Sequence, residues 1–255
     1  WILYKYYGDT TVLRNAYQGM KQYVDFIGST ATDQYFLNWG IGDWLEVGAE
    51  HKGFPSRTPL EQTSTTAYFH YAKLLSETAA LLGFRQDAIL YNALAGNIRN
   101  AFNKRFFNDT TGLYADDSQT SQILPLYLGL APDNKRELVL QQLINNIRKR
   151  EGHLSTGFVG YLYLLYGLTD LGYAGLVYEM AGKKDYPGWG FMLKDGGTNL
   201  WESWTGIAYN FSSLGGIGNW FFQALAGINP DPQAPGFRNI LFKPNFVPAL
   251  QRAEA

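Results

Sequence analysis

Cysteine is absent from all 255 residues. Disulfides, thiolate nucleophiles and Cys-ligated zinc are therefore excluded. Its absence does not decide the compartment, because many secreted chains also lack it. An excess of charge of one sign is missing too: 21 basic and 22 acidic residues leave a formal net charge of −1. Nucleic-acid binding needs a basic stripe, and none is present. The densest basic run, Arg148-Lys149-Arg150, ends a helical pattern, where it complements the helix dipole. No apolar run reaches the ~18 residues of a membrane span. The stretch from Phe158 to Leu171 is interrupted by Gly160, Gly167, Thr169 and Asp170. His51, His70 and His153 lie far apart, without metal-ligand spacing to a carboxylate, and no HExxH motif occurs. Neither a G-x-S-x-G elbow nor a P-loop is found. The chain opens Trp1-Ile2-Leu3-Tyr4, with no Met and no signal peptide, and reads as cut from something longer.

Aromatic residues are abundant: 7 Trp, 18 Tyr and 16 Phe make up 16% of the chain. A helical core can absorb many of them. Trp in polar, Gly-rich loops is a different matter, since a loop has little core to fill. Sugar rings offer apolar C–H faces that stack on indoles while their hydroxyls take hydrogen bonds.

The dominant period is helical. Leu13, Ala16, Tyr17, Met20, Val24 and Ile27 form one stripe, with Asp9 as N-cap. Tyr71, Leu74, Leu75, Thr78, Leu81 and Leu82 form a second, closed by Gly83. Leu90, Leu94, Ile98, Ala101 and Phe102 make a third. Leu140, Leu143, Ile144 and Ile147 make a fourth, entered through Pro132-Asp133. Less regular helices are expected over Ser118 to Leu130, Thr156 to Thr169, Tyr173 to Ala181 and Ser212 to Ala226. After a Pro/Gly-rich linker, Asn229 to Gly236, strand-type alternation enters over Phe237 to Val247. Polar, Gly-rich loops separate the helices at Asn38 to Pro59, Asp109 to Ser118 and Tyr186 to Trp204.

Three loop segments could carry chemistry. Asn38-Trp39-Gly40-Ile41-Gly42-Asp43-Trp44-Leu45-Glu46 sets an Asp between two Trp. Asp43 either binds sugar hydroxyls bidentately beside a stacking Trp44, or makes a locally bonded turn with Trp packed beneath it. Tyr186-Pro187-Gly188-Trp189-Gly190-Phe191-Met192 holds Trp189 between two glycines, either as a ring wall or as the cover of a helix end. Gly196-Gly197-Thr198-Asn199-Leu200-Trp201-Glu202-Ser203-Trp204 flanks a carboxylate with two indoles. Glu202 there is either a proton-transfer group or a helix-start residue meeting backbone N–H groups; the Trp-Glu-x-Trp setting favours the first. With nucleophile and metal motifs missing, carboxylates among aromatics remain, and these are the equipment of glycoside cleavage.

Taken together, these stretches resemble the bacterial α-L-rhamnosidases of glycoside hydrolase family 78. The likeness is carried by Trp1-x-Leu3-Tyr4-x-x-Tyr7-Gly8-Asp9, Gly42-Asp43-Trp44-Leu45, Thr65-Thr66-Ala67-Tyr68-Phe69 and Asp117-Ser118-Gln119-Thr120. It continues through His153-Leu154-Ser155-Thr156-Gly157-Phe158, Tyr186-Pro187-Gly188-Trp189-Gly190 and Thr198-Asn199-Leu200-Trp201-Glu202-Ser203-Trp204, ending with Ala226-Gly227-Ile228 and Pro235-Gly236-Phe237. The resemblance implies an all-α fold, an incomplete (α/α)6 barrel over residues 1–228. Residues 229–255 would then be a linker and the first strand of a C-terminal β-sandwich. It also implies removal of terminal α-L-rhamnose from glycosides or polysaccharides with inversion, with neither metal nor cofactor and no nucleic-acid or membrane partner. Glu202 matches the general base, and Asp43, Trp44, Trp189 and Trp201 would line the sugar subsite. The family's general acid, a Glu in an Asp/Arg/Glu-rich loop before a Trp, is expected upstream of Trp1. Phe211 stands where the family usually has a His near the sugar. Two other readings stay open: an impaired or vestigial carbohydrate-binding domain, and a helical scaffold whose Trp44, Trp189 and Trp201 are buried apart from one another.

Overall fold

The helical period is realised in ten α-helices among the residues described in the computed structural model, which are 1–48, 55–194, 196–205 and 208–254. His51 lies outside them. One two-stranded sheet accompanies the helices. The chain forms two compact units: residues 1–40, 60–107 and 229–241, and residues 41–59, 108–228 and 242–255.

The first unit is built on α1 (Ile2–Tyr7), α2 (Thr11–Ser29), α3 (Leu60–Leu82) and α4 (Arg85–Phe106). Helix α2 buries Leu13, Tyr17, Val24 and Ile27, four residues of the expected stripe, whereas Ala16 faces outward. Asp9 Oδ1 accepts the Thr11 N–H at 2.8 Å, so it holds the start of the helix from one residue before the cap position, which is Thr10. Helix α3 begins at Leu60, well ahead of its apolar stripe, because its first turns bury Gln62, Thr63, Thr65 and Thr66. It stops at Gly83, whose φ of +87° is open to glycine at little cost. In α4 the buried face is Tyr91, Ala95, Ile98 and Phe102. Leu90, expected inside, is exposed, while the Tyr91 hydroxyl donates to Asp25 Oδ1 at 2.6 Å. Arg105 at the end of α4 bonds Asp33 and Glu61, each at 2.6 Å, and covers the Phe36 ring at 3.6 Å.

The second unit centres on α5 (Gln119–Leu128), with α6 (Arg136–Lys149), α7 (Phe158–Asp170) and α8 (Ala174–Ala181) around it. Ser118 caps α5 by accepting the Ser121 N–H at 3.1 Å. Ile123, Leu124, Leu126, Leu143, Ile147, Leu164, Leu165, Leu168, Val177 and Met180 form its core. Burial of each such side chain contributes roughly 1.5–3 kcal/mol before entropy is charged against it. Helices α5 and α7 approach closely at Gly167, where a Cβ would lie 2.7 Å from Ile123 Cδ1. The expected loop Tyr186 to Trp204 contains a short helix, α9 (Trp189–Lys194). A 3₁₀ turn at Ser213–Gly215 leads into α10 (Gly216–Trp220) and then a π-helical turn, Phe221–Leu225. Trp220 anchors this segment, fully buried, with its Nε1–H donated to Thr169 Oγ1 at 2.8 Å.

Strand β1 (Ile228–Pro230) pairs with β2 (Ile240–Phe242). The strand expected over Phe237 to Val247 is thus three residues long, and its outer faces stay exposed.

Candidate active site

Every residue singled out for chemistry falls in the second unit. Asp43 is fully buried. Its Oδ2 accepts the Thr120 hydroxyl and the Gly157 N–H at 2.8 Å, and its Oδ1 accepts the Gly160 N–H at 2.9 Å. The carboxylate therefore sits on the first turn of α7, where orphan N–H groups and the helix dipole favour an anion. Burial pushes its carboxyl up to about 6, against the downward pull of those three hydrogen bonds. Its oxygens are occupied inside the protein, so in this structure Asp43 anchors its loop to α5 and α7. Trp44, half-buried, continues the anchor: its carbonyl accepts the Phe158 N–H at 2.8 Å. Gly157 is required here, since a Cβ would come within 2.3 Å of the Asp43 carbonyl oxygen.

Glu46, also buried, grips the other end of this loop. It accepts the Arg57 N–H at 2.9 Å and the Thr58 hydroxyl at 2.8 Å. Neither acidic residue of the Gly42–Glu46 segment points into open space; both replace water around backbone donors.

The other two segments converge. Tyr186, Phe191, Trp201, Trp204, Thr205 and Tyr209 line a recess of about 290 Å³. Trp201 meets Tyr209 edge to face at 5.2 Å and Phe191 at 6.2 Å. Trp189 stands behind this wall, perpendicular to Trp204 at 4.9 Å, with its Nε1–H donated to the Leu214 carbonyl at 3.1 Å. Edge-to-face packing of this kind fixes ring orientation. Gly197 admits the crossing of two segments: a Cβ there would lie 2.5 Å from the Met192 carbonyl oxygen.

Glu202 occupies the turn between the two recess-lining indoles, half-buried, with its N–H donated to the Ala208 carbonyl at 2.8 Å. The sequence-level candidates are thus distributed. Trp201 lines the recess, Trp189 backs it, Glu202 lies between Trp201 and Trp204 in the chain without itself lining the recess, and Asp43 and Trp44 brace the start of α7. Phe211 is exposed, and its N–H donates to the Leu200 carbonyl at 2.9 Å. Among the ring walls, Trp204 is the second indole flanking Glu202, and Tyr186 and Phe191 belong to the same Gly-rich loop, whereas Tyr209 lies beyond it and carries no such signal.

Among the described residues no three His, Asp or Glu side chains gather as a metal site would need. Likewise, no described helix is long and apolar enough to cross a membrane.

The chain is similar to known α-L-rhamnosidases. An α-L-rhamnosidase structure from Dictyoglumus thermophilum is 37% identical, superposes with a TM-score of 0.88, and matches 96% of this chain and 28% of that one. The Streptomyces avermitilis α-L-rhamnosidase, solved in complex with L-rhamnose, is 31% identical with a TM-score of 0.86, matching 96% of this chain and 24% of that one. The α-L-rhamnosidase of Alteromonas sp. is 29% identical over 270 residues, all of this chain and 29% of its own length. The chain thus spans only 24–29% of the length of these relatives. The family model of the bacterial α-L-rhamnosidase six-hairpin glycosidase domain matches residues 1–225, and the chain belongs to that family.

Proposed function

We propose that the protein carrying this chain hydrolyses terminal α-L-rhamnosides with inversion, using Glu202 as general base. The observation that carries this reading is the position of Glu202 between Trp201 and Trp204, both of which wall one aromatic recess. In this mechanism Glu202 takes a proton from water as the water oxygen attacks the anomeric carbon. The glycosidic oxygen leaves from the opposite face, protonated by an acid, proposed to lie in the segment expected upstream of Trp1. Inversion needs the two carboxyls about 6.5–9.5 Å apart, leaving room for that water. Trp201 offers a ring face to the apolar side of the sugar, and Trp189 holds Trp204 upright behind it. Phe211 adds apolar surface near the same turn. Asp43 acts at one remove, fixing Trp44 and the start of α7.

The stereochemistry gives the test. The full-length protein and an aryl α-L-rhamnoside are followed by proton NMR from the first turnover. The β-anomer of rhamnose should appear first and then mutarotate. First appearance of the α-anomer would overturn inversion, and release of no rhamnose would overturn the reading itself.

A further inference from the structure

The segment Lys183–Gly190 is folded tightly on itself. The Gly190 N–H donates to the Lys183 carbonyl at 3.0 Å, and a Cβ on Gly188 or Gly190 would lie 2.6 or 2.7 Å from that same oxygen. It is therefore held as one piece, and it carries Tyr186 and leads directly into Trp189 and Phe191. Tyr186 and Phe191 meet edge to face at 5.8 Å on the recess.

His153 holds this piece from the loop before α7. The backbone of His153 is itself fixed: its carbonyl accepts from Gln119 Nε2 at 3.0 Å, and its N–H donates to the Arg150 carbonyl at 3.0 Å. The largely buried ring then reaches in two directions. Nδ1 faces the Arg150 carbonyl at 3.0 Å, and Nε2 faces Asp185 Oδ1 at 3.1 Å. The Nδ1 contact fixes the orientation of the ring, and the Nε2 contact ties it to Asp185. The same contact holds the Asp185 carboxyl below the usual carboxylate range, mainly through its hydrogen bond with His153. Lys183 also acts on Asp185 and donates to the Glu151 carbonyl, a second tie between the same two loops, and Arg150 and Glu151 are further charged residues of the loop that carries His153.

We propose that His153 is a positioning residue for the aromatic recess: through Asp185 it latches the Lys183–Gly190 segment, and with it the Tyr186 and Phe191 walls. As a statement about substrate handling, this rests on the rhamnoside-hydrolase reading above.

The test uses the full-length protein and two variants at an exposed side chain, Asp185→Ala and Asp185→Asn. Two readouts are taken: kcat and KM on an aryl α-L-rhamnoside, and tryptophan emission. Asp185→Ala should raise KM by about fivefold with kcat within twofold, the pattern of lost binding rather than lost chemistry. It should also shift emission to the red. Asp185→Asn, whose amide oxygen can still face His153 Nε2, should keep KM and emission close to those of the wild type. Unchanged KM and emission in Asp185→Ala, or a fall in kcat alone, would overturn the latch. If the wild type cleaves no rhamnoside, the hydrolase reading fails, and the emission series alone decides whether the latch exists: a red shift in Asp185→Ala supports it, and no shift refutes it.

Discussion

Oδ2 of Asp43 accepts the N–H of Gly157 at 2.8 Å, joining positions 114 residues apart in sequence. One buried carboxylate thereby seats the Gly42–Glu46 loop on the first turn of α7, and the glycine is the partner that permits the approach. The consequence is a division of labour. Asp43 braces the loop, whereas Glu202 lies in the chain between the recess-lining Trp201 and Trp204.

Asp43→Asn should destabilise the fold by about 3 kcal/mol, because the new amide N–H₂ would face Thr120, Gly157 or Gly160 donors and leave buried groups unpaired. Urea unfolding of the variant and wild type checks this. Equal midpoints would mean that the carboxylate is not what holds α7.

The same residue sets a pH dependence. Its folded carboxyl is raised to about 6 from an ordinary 3.8, so the folded state binds the proton more tightly than the unfolded chain. Its contribution is fully present below pH 3.8 and lost as pH rises through about 6. The stability difference between wild type and Asp43→Asn should therefore fall between pH 4 and 6 and level off above. A difference that grows with pH over this range would contradict the assignment.

Two glycine substitutions should act in opposite directions. In Gly157→Ala the new Cβ would meet the Asp43 and Trp44 carbonyl oxygens at 2.3 and 2.4 Å, and a loss of about 2–3 kcal/mol is expected. Gly175→Ala adds a Cβ to α8 with nothing within 4 Å, and a gain of about 0.5–1 kcal/mol is expected from helix propensity. Thermal unfolding of both checks the pair. A tolerated Gly157→Ala would contradict the close approach.

Tyr209→Ala removes an exposed ring from the recess while sparing the core. Loss of one ring contact of about 0.5–1.5 kcal/mol corresponds to roughly a three- to tenfold rise in KM for an aryl α-L-rhamnoside. Titration calorimetry with L-rhamnose offers an independent check, and unchanged binding would remove the recess from the sugar site.

Much of this was legible from the residues alone. The stripes of α2 and α6 follow apolar spacing, and Gly83 ends α3 as a left-handed residue must. Helix α3 was read too short because its first turns bury Gln and Thr, whose value lies in hydrogen bonds that a hydropathy pattern does not register. In α4 the expected Ile98 and Phe102 are buried, while in its first half the buried face lies one residue further on, at Tyr91 and Ala95. Leu90 lies outside, while Tyr91 is drawn in by its apolar ring and a hydroxyl bonded to Asp25. Helix α9 is obscured in the sequence by glycines that allow tight local folding, Gly188 and Gly190 against Lys183 and Gly197 against Met192. At the site, Trp201, Trp204 and Glu202 were visible as a cluster in one short segment. The bonding of Asp43 was not, because its partners Thr120, Gly157 and Gly160 are distant in sequence and two of them contribute only backbone N–H groups.

The most direct measurement is hydrolysis of an aryl α-L-rhamnoside by the full-length protein and its Glu202→Gln variant, with circular dichroism confirming that both fold alike. With Glu202 as base, kcat should fall by about 10²-fold or more while KM stays within a few fold. Equal rates in the two proteins would contradict the assignment.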